Sequence, residues 1–146
     1  MRNRFYSHPS DDIIVDVEHM YNIHDGIISI GVEDVHQVIS GSENTIILVG
    51  TGTGSDRVSN AIEDAVMHTC SVAADYNLFS ADKVILKLMC SKEFPLMMRE
   101  IDGINQLAEM FSRIVSFIWG ISECVSHSDK VQAQIIASNL KPKGNE

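Results

Sequence analysis

Residues 44–57 have the sequence NTIILVGTGTGSDR, an apolar run followed by alternating glycines and threonines and then by polar residues. The run at 44–49 predicts a strand, because β-branched apolar residues favour strands. The glycine-rich part predicts a turn, and Ser55 or Asp56 is suited to cap a helix. That helix is indicated by apolar residues at helical spacing, Val58, Ile62, Ala65 and Val66.

Beyond this unit, the chain predicts a second strand and a second helix. Residues 83–90 are apolar on both faces apart from one lysine, which is typical of a strand covered on at least part of each face. Pro95 suits the first turn of a long helix. The apolar stripe of that helix places Met97 in the core, leaves Met98 undecided and continues to Val115.

The last part of the chain predicts two more strands. Residues 117–122 and 131–138 are apolar runs separated by the polar residues 125–130, a pattern typical of an antiparallel hairpin. Strands that alternate with helices imply crossover connections and a partly parallel sheet. The predicted fold class is therefore α+β: a mixed four-stranded sheet with a β-α-β-α-β-β core and helices packed on it. We expect one domain over 13–140 and a frayed polar tail at 141–146.

The amino-terminal third carries weaker patterns. Residues 1–12 show no periodicity and predict a flexible leader. Residues 13–24 predict a short helix, with a strand over 13–17 as the alternative. A brief apolar link is expected at 27–30 and another helix at 32–39.

Composition excludes several classes of function. The chain has 146 residues and a formal net charge of −9, which argues against nucleic acid or an anionic membrane as the main partner. No apolar run is long enough to cross a bilayer. Three widely spaced cysteines are typical of a reducing cytoplasm. The spacings of Cys124 with His127 and of His68 with Cys70 do not supply four zinc ligands, so we expect no metal and no cofactor.

Residues 26–35, GIISIGVEDV, are similar to a loop of the form GLINVDFADV in the second domain of the tubulin/FtsZ family. Residues 50–57 resemble the small-residue turn and helix start that follow that loop in the family. Further similar passages are 75–78, 119–122 and 131–139. The chain therefore resembles the C-terminal domain of the tubulin/FtsZ family over about 25–140, an arrangement similar to that of chorismate mutase. We expect it to lack the N-terminal GTPase domain.

The resemblance implies where partners bind. In the family, acidic residues of this loop reach the nucleotide pocket of the neighbouring subunit and position the attacking water. Asp34 matches the second acidic position, whereas Gly31 and Ser29 stand at the first acidic position and at the asparagine position. Glu33 is adjacent, but it would point elsewhere on a helix. The resemblance thus implies a partner-binding loop formed by Ser29, Gly31, Glu33 and Asp34, with no catalytic set.

The Gly-Thr repeat has two interpretations. It resembles the phosphate loop of tubulin-like proteins, which makes Gly52, Gly54 and Arg57 candidate anion-binding residues. However, the repeat follows the loop at 26–35, where the family's second domain has a structural turn. Asp56 would also place a negative charge where an anion would sit. We therefore favour a structural turn and keep anion binding as the alternative.

These observations predict a non-catalytic protein-interaction and assembly module of the FtsZ/tubulin type. Expected partners are FtsZ-like filament subunits and further copies of the chain itself. The alternative is an oligomeric small-anion-binding or enzymatic domain with a ligand cleft between subunits. Its candidate basic residues are Arg57, Lys83, Lys87 and Arg99.

Overall fold

A computed structural model describes residues 3–7, 26–28, 43–111 and 115–143 of the chain. Their strands are β1 (Arg4–Tyr6), β2 (Gly26–Ile28), β3 (Thr45–Gly52), β4 (Tyr76–Asn77), β5 (Lys83–Ser91), β6 (Ser116–Cys124), β7 (Val131–Ser138) and β8 (Lys141–Pro142). The α-helices are α1 (Arg57–Met67), α2 (Thr69–Val72) and α3 (Asp102–Glu109), with 3-10 turns at Leu78–Ser80 and Met98–Ile101. Among these helices, none is long and apolar enough to cross a membrane.

Six strands form one mixed sheet in the order β1-β3-β7-β5-β6-β2. β5 and β6 pair in parallel, and the helix α3 lies in the connection between them. β7 is antiparallel to both of its neighbours, β3 and β5. The predicted α+β class and mixed sheet are confirmed, with β1 and β2 added at the two edges.

The predicted hairpin of the last two long strands is wrong. β7 pairs with β3 and β5, and not with β6. The connection at 125–130 has six residues and can span about 20 Å, whereas crossing one strand needs only about 10 Å. β7 is buried on both faces, as shown by Ala133, Ile135 and Ile136, which are all inaccessible to solvent. Its apolar character thus favours the centre of the sheet over the outer side of β6.

The core lies between the sheet and α1. Alternate residues of the central strands, including Leu48, Leu86 and Ile135, form one buried cluster with Val58 and Ile62 of α1. Ile104 and Leu107 of α3 join the same cluster. On the opposite face of the sheet Ile47, Ile85, Ile136, Lys87 and Gln134 are also buried. Both faces of the central strands are therefore shielded from solvent.

Four short strands lie in segments for which the sequence predicts a leader, a link, a loop and a tail. Arg4–Tyr6, in the predicted flexible leader, pairs with β3. Gly26–Ile28 overlaps the predicted link and pairs with β6. Lys141–Pro142, in the predicted frayed tail, pairs with Tyr76–Asn77, inside a segment expected to be a loop. The sequence does not indicate these strands, because strands of two or three residues are too short to show an alternating pattern. The flexibility predicted for 1–12 and for 141–146 stays a prediction. The helices predicted at 13–24 and 32–39 lie outside the described residues.

The helix expected from Pro95 begins later. A 3-10 turn covers Met98–Ile101, and α3 follows at Asp102–Glu109. Met97 therefore precedes the helix and does not lie on its buried face. Its exposed fraction is 56%, so its assignment to the core is wrong, and Met98 is 83% exposed.

The strand β3 continues through Gly52, beyond the predicted turn start at Gly50. A Cβ atom at Gly50 would lie 2.2 Å from the Ala65 nitrogen, and one at Gly52 would lie 2.1 Å from the Arg57 carbonyl oxygen. Real Cβ atoms do not approach backbone atoms so closely. These two glycines therefore let the backbone of α1 rest directly against β3.

Gly50→Ala should destabilise the fold by about 3 kcal/mol, because the added methyl group clashes with the backbone of α1 and neither β3 nor α1 can shift without loss of packing. Urea unfolding followed by circular dichroism measures this change. The matched control is Gly54→Ala, which meets no atom within 4 Å but has a φ of +83°; it should cost about 1 kcal/mol from backbone strain alone. Equal midpoints for Gly50→Ala and the unsubstituted chain would contradict the packing role.

Candidate functional site

Arg57 is the first residue of α1 and is buried, with 6% of its surface exposed. Its guanidinium binds the Glu100 carboxylate through two hydrogen bonds, Nε to Oε2 at 2.7 Å and Nη2 to Oε1 at 3.0 Å. Nη1 also donates to the Asp129 carbonyl oxygen at 2.9 Å, and Nη2 donates to the Pro95 carbonyl oxygen at 3.0 Å. Arg57 is thus bonded to two other segments of the chain at once.

Asp129 strengthens this junction from the connection between β6 and β7. Its side-chain Oδ2 accepts the Gly54 N–H at 3.1 Å, while its carbonyl oxygen accepts from Arg57. Glu100 also accepts the Met97 N–H at 3.0 Å. We call Arg57, Glu100, Asp129 and Gly54 the loop junction, because these residues hold together three loops at one end of the sheet.

Within the loop junction, Arg57 and Glu100 form an ion pair. The hydrogen bond to Arg57 lowers the pKa of Glu100 below its usual value, against the opposing effect of burial. The same bond raises the pKa of Arg57. Both groups are therefore ionised near neutral pH and balance each other's charge. A bidentate guanidinium–carboxylate pair of this geometry is one of the stronger polar contacts in proteins.

A groove of ≈ 800 Å³ opens beside the loop junction. Its wall is the segment that leads into α3, including Phe94, Met97 and Met98, which are all exposed. Arg99 and Glu100 line both this groove and a smaller depression of ≈ 280 Å³ on the side of α3. We call the two together the α3 groove.

The predicted anion-binding residues fall at or near the loop junction. The Gly54 N–H and the Arg57 guanidinium already have carboxylate and carbonyl partners, and Gly52 lies in the ladder opposite Val131. These contacts favour the interpretation as a structural turn. Anion binding by Gly52, Gly54 and Arg57 stays a prediction.

The basic residues of the alternative function do not converge. Arg57 and Arg99 line the α3 groove. Lys83 and Lys87 alternate with the β5 residues that face α1, so they lie on the opposite face of the sheet. Burial lowers the pKa of Lys87. Within one chain the four residues therefore do not form a shared cleft, whereas the predicted cleft lies between subunits.

Glu100 and Asp129 were not singled out from sequence. They stand 43 and 72 positions from Arg57, and no local spacing connects them. Of the predicted partner-binding loop, Ser29, Gly31, Glu33 and Asp34 lie outside the described residues. The strand before that loop, Gly26–Ile28, runs antiparallel to β6.

Comparison with known proteins finds similarity to the cell division protein FtsZ and to TubZ. No protein-family profile matches the chain. The cell division protein FtsZ of Porphyromonas gingivalis is 30% identical over 116 residues, which are 80% of this chain and 25% of that protein. The chain thus spans about a quarter of the curated relative that it matches.

Solved structures show the same fold. An FtsZ dimer from M. jannaschii superposes with a TM-score of 0.67 at 19% identity, over 84% of this chain and 38% of that one. A GTPγS-form protofilament of TubZ from Bacillus thuringiensis serovar israelensis gives a TM-score of 0.64 at 9% identity, over 90% and 34%. The predicted resemblance to the tubulin/FtsZ family is therefore confirmed by sequence and by fold, for a part of the FtsZ chain.

Glu100→Gln should destabilise the chain by about 2 to 3 kcal/mol at neutral pH, because it removes one charge of a buried pair. A carboxyl whose folded pKa is lowered contributes stability that is complete above its unfolded pKa of about 4.3 and is lost as the pH falls through the folded value. The difference in unfolding free energy between the Glu100→Gln variant and the unsubstituted chain should therefore shrink on acidification. Urea unfolding at several pH values measures it.

The matched control for this change is Glu93→Gln. Glu93 forms an exposed pair with His127 at 2.8 Å, and exposed pairs contribute little. Similar losses in the two variants at neutral pH, or a Glu100→Gln difference that stays constant on acidification, would contradict the role given to the loop junction.

Proposed function

We propose that this chain is a non-catalytic interaction module that docks on FtsZ-like filament subunits in the cytoplasm and also associates with itself. The observation that carries the proposal is the 30% identity to FtsZ over 116 residues. Similarity over most of this chain favours a surface inherited from a filament subunit over a fold shared by chance. Fold alone would be weak support, because one fold hosts many functions.

The solved relatives support assembly as the shared property. FtsZ was solved as a dimer and TubZ as a protofilament. In this chain the loop that resembles the family's subunit-contacting loop is Ser29 to Asp34, and only Asp34 keeps an acidic position of the activating set. A contact at this loop would hold a neighbour without positioning a water for hydrolysis, since a glycine at 31 offers no carboxylate.

The packing of the Gly-Thr repeat supports the non-catalytic part of the proposal. Gly50 and Gly52 face α1 at distances that leave no room for a side chain, and the Gly54 N–H donates to Asp129. A phosphate-binding loop instead directs its N–H groups toward an empty cradle. The glycines here serve helix packing and a turn.

Mixing the chain with FtsZ from Porphyromonas gingivalis and GTP tests the proposal. We expect the chain to co-sediment with FtsZ polymers and to change the polymer mass measured by light scattering. GTP turnover per polymerised subunit should not rise, because the loop carries no complete activating set. Absence of binding, together with unchanged polymer mass at a stoichiometric excess of the chain, would contradict the proposal.

Asp34→Arg tests whether the loop from Ser29 to Asp34 is the surface that binds FtsZ. Charge reversal at a docking loop should abolish co-sedimentation, because an introduced like charge or an unpaired charge is costly in an interface. Glu63→Arg is the matched control, since Glu63 is exposed on α1 and carries the same change of charge. Equal loss of binding in both variants would indicate general electrostatic attraction and not a specific contact.

A further inference from the structure

Hydrogen bonds hold the wall of the α3 groove at several points. In the segment that leads into α3, the Pro95 carbonyl oxygen accepts a hydrogen bond from Arg57, and the Met97 N–H donates to the Glu100 carboxylate. The start of the segment is held by Ser91, whose hydroxyl donates to the Ser126 carbonyl oxygen and accepts the Glu93 N–H. A surface held at several points on both sides requires little ordering when a partner binds.

Apolar side chains project from this wall. Phe94, Met97 and Met98 are 42%, 56% and 83% exposed, and all three line the groove. Pro95 and Leu96 complete the apolar part. A cluster of large, exposed apolar side chains is typical of a surface that contacts a partner. Methionine side chains adapt to varied apolar partners.

The rim of the α3 groove is acidic. The residues that line its two parts include five carboxylates but only two guanidinium groups. One carboxylate, Glu100, is neutralised by Arg57. The four remaining acids that line the groove, Asp56, Glu93, Asp102 and Asp129, outnumber the one remaining guanidinium, that of Arg99. Two of these acids also have contacts within the chain, Glu93 with His127 and Asp129 with the Gly54 N–H. An apolar surface inside an acidic rim complements apolar side chains flanked by lysine or arginine.

We propose that the α3 groove binds a short segment of a partner protein in which apolar anchor residues are flanked by basic residues. Leucine or phenylalanine anchors would cover Phe94, Met97 and Met98, while lysines would approach the acidic rim. This inference does not depend on docking to FtsZ, because a chain that binds no filament can still bind such a segment.

The probe is a labelled synthetic peptide of about ten residues, the size of a short recognition segment. Its leucine and phenylalanine anchors are placed between lysines. The comparison peptide has the same apolar residues and glutamate in place of lysine. Fluorescence anisotropy with the full chain should show binding of the lysine peptide that weakens as salt is added. The glutamate peptide should bind at least about tenfold more weakly, because like charges then face each other.

Met98→Lys tests the location of binding. It adds a positive charge inside the groove and should weaken the lysine peptide about tenfold. Met110→Lys is the matched control, because Met110 is 57% exposed at the carboxyl end of α3 and does not line the groove; it should change binding by less than about twofold. Glu93→Lys is a second variant at the exposed rim and should weaken binding in the same direction as Met98→Lys.

Three outcomes would overturn the proposal. The first is equal binding of the lysine and glutamate peptides. The second is an equal effect of Met98→Lys and Met110→Lys, which would indicate attraction to net charge only. The third is a chain that sediments as a dimer and becomes monomeric with Met98→Lys, since the groove would then be occupied by a second copy of the chain.

Discussion

The close approach of α1 to β3 at Gly50 and Gly52 is the constraint on which the other features depend. Any side chain at these positions would push the helix away from the sheet. Because the helix lies against the strand, its first residue, Arg57, is held where β3 ends. From that position the guanidinium reaches both the segment before α3 and the connection before β7. A longer helix–strand distance would break those contacts.

The loop junction in turn fixes the surface around it. A buried bidentate pair is costly to disrupt, since removal of one partner leaves an uncompensated charge. The exposed pair of Glu93 and His127 nearby is screened by water and contributes little. Arg57 and Glu100, together with Ser91, therefore hold the wall of the α3 groove, while the exposed apolar residues beside them face solvent and can contact a partner.

Much of the fold was predictable from local pattern, and the rest depended on distant contacts. The four long strands and α1 follow from periodicity and from the glycines at 50–54. The place of β7 does not, because a six-residue connection can cross a strand as easily as it can form a hairpin turn. Met97 was assigned to the core by helical spacing, but the helix begins after Met97. Glu100 and Asp129 carry no local signal, so the loop junction becomes visible only when three loops are seen together. The partner-binding loop at Ser29 to Asp34 is predicted by resemblance alone.

Gly50 and Gly52 of the Gly-Thr repeat pack against α1, and we interpret the repeat as a structural turn that does not hold a phosphate. Amide NMR spectra of the chain recorded during a titration with GTP test it most directly. We expect the resonances of Gly52, Thr53, Gly54 and Arg57 to keep their positions at a large excess of nucleotide. Saturable shifts centred on those amides would show instead that the repeat binds nucleotide.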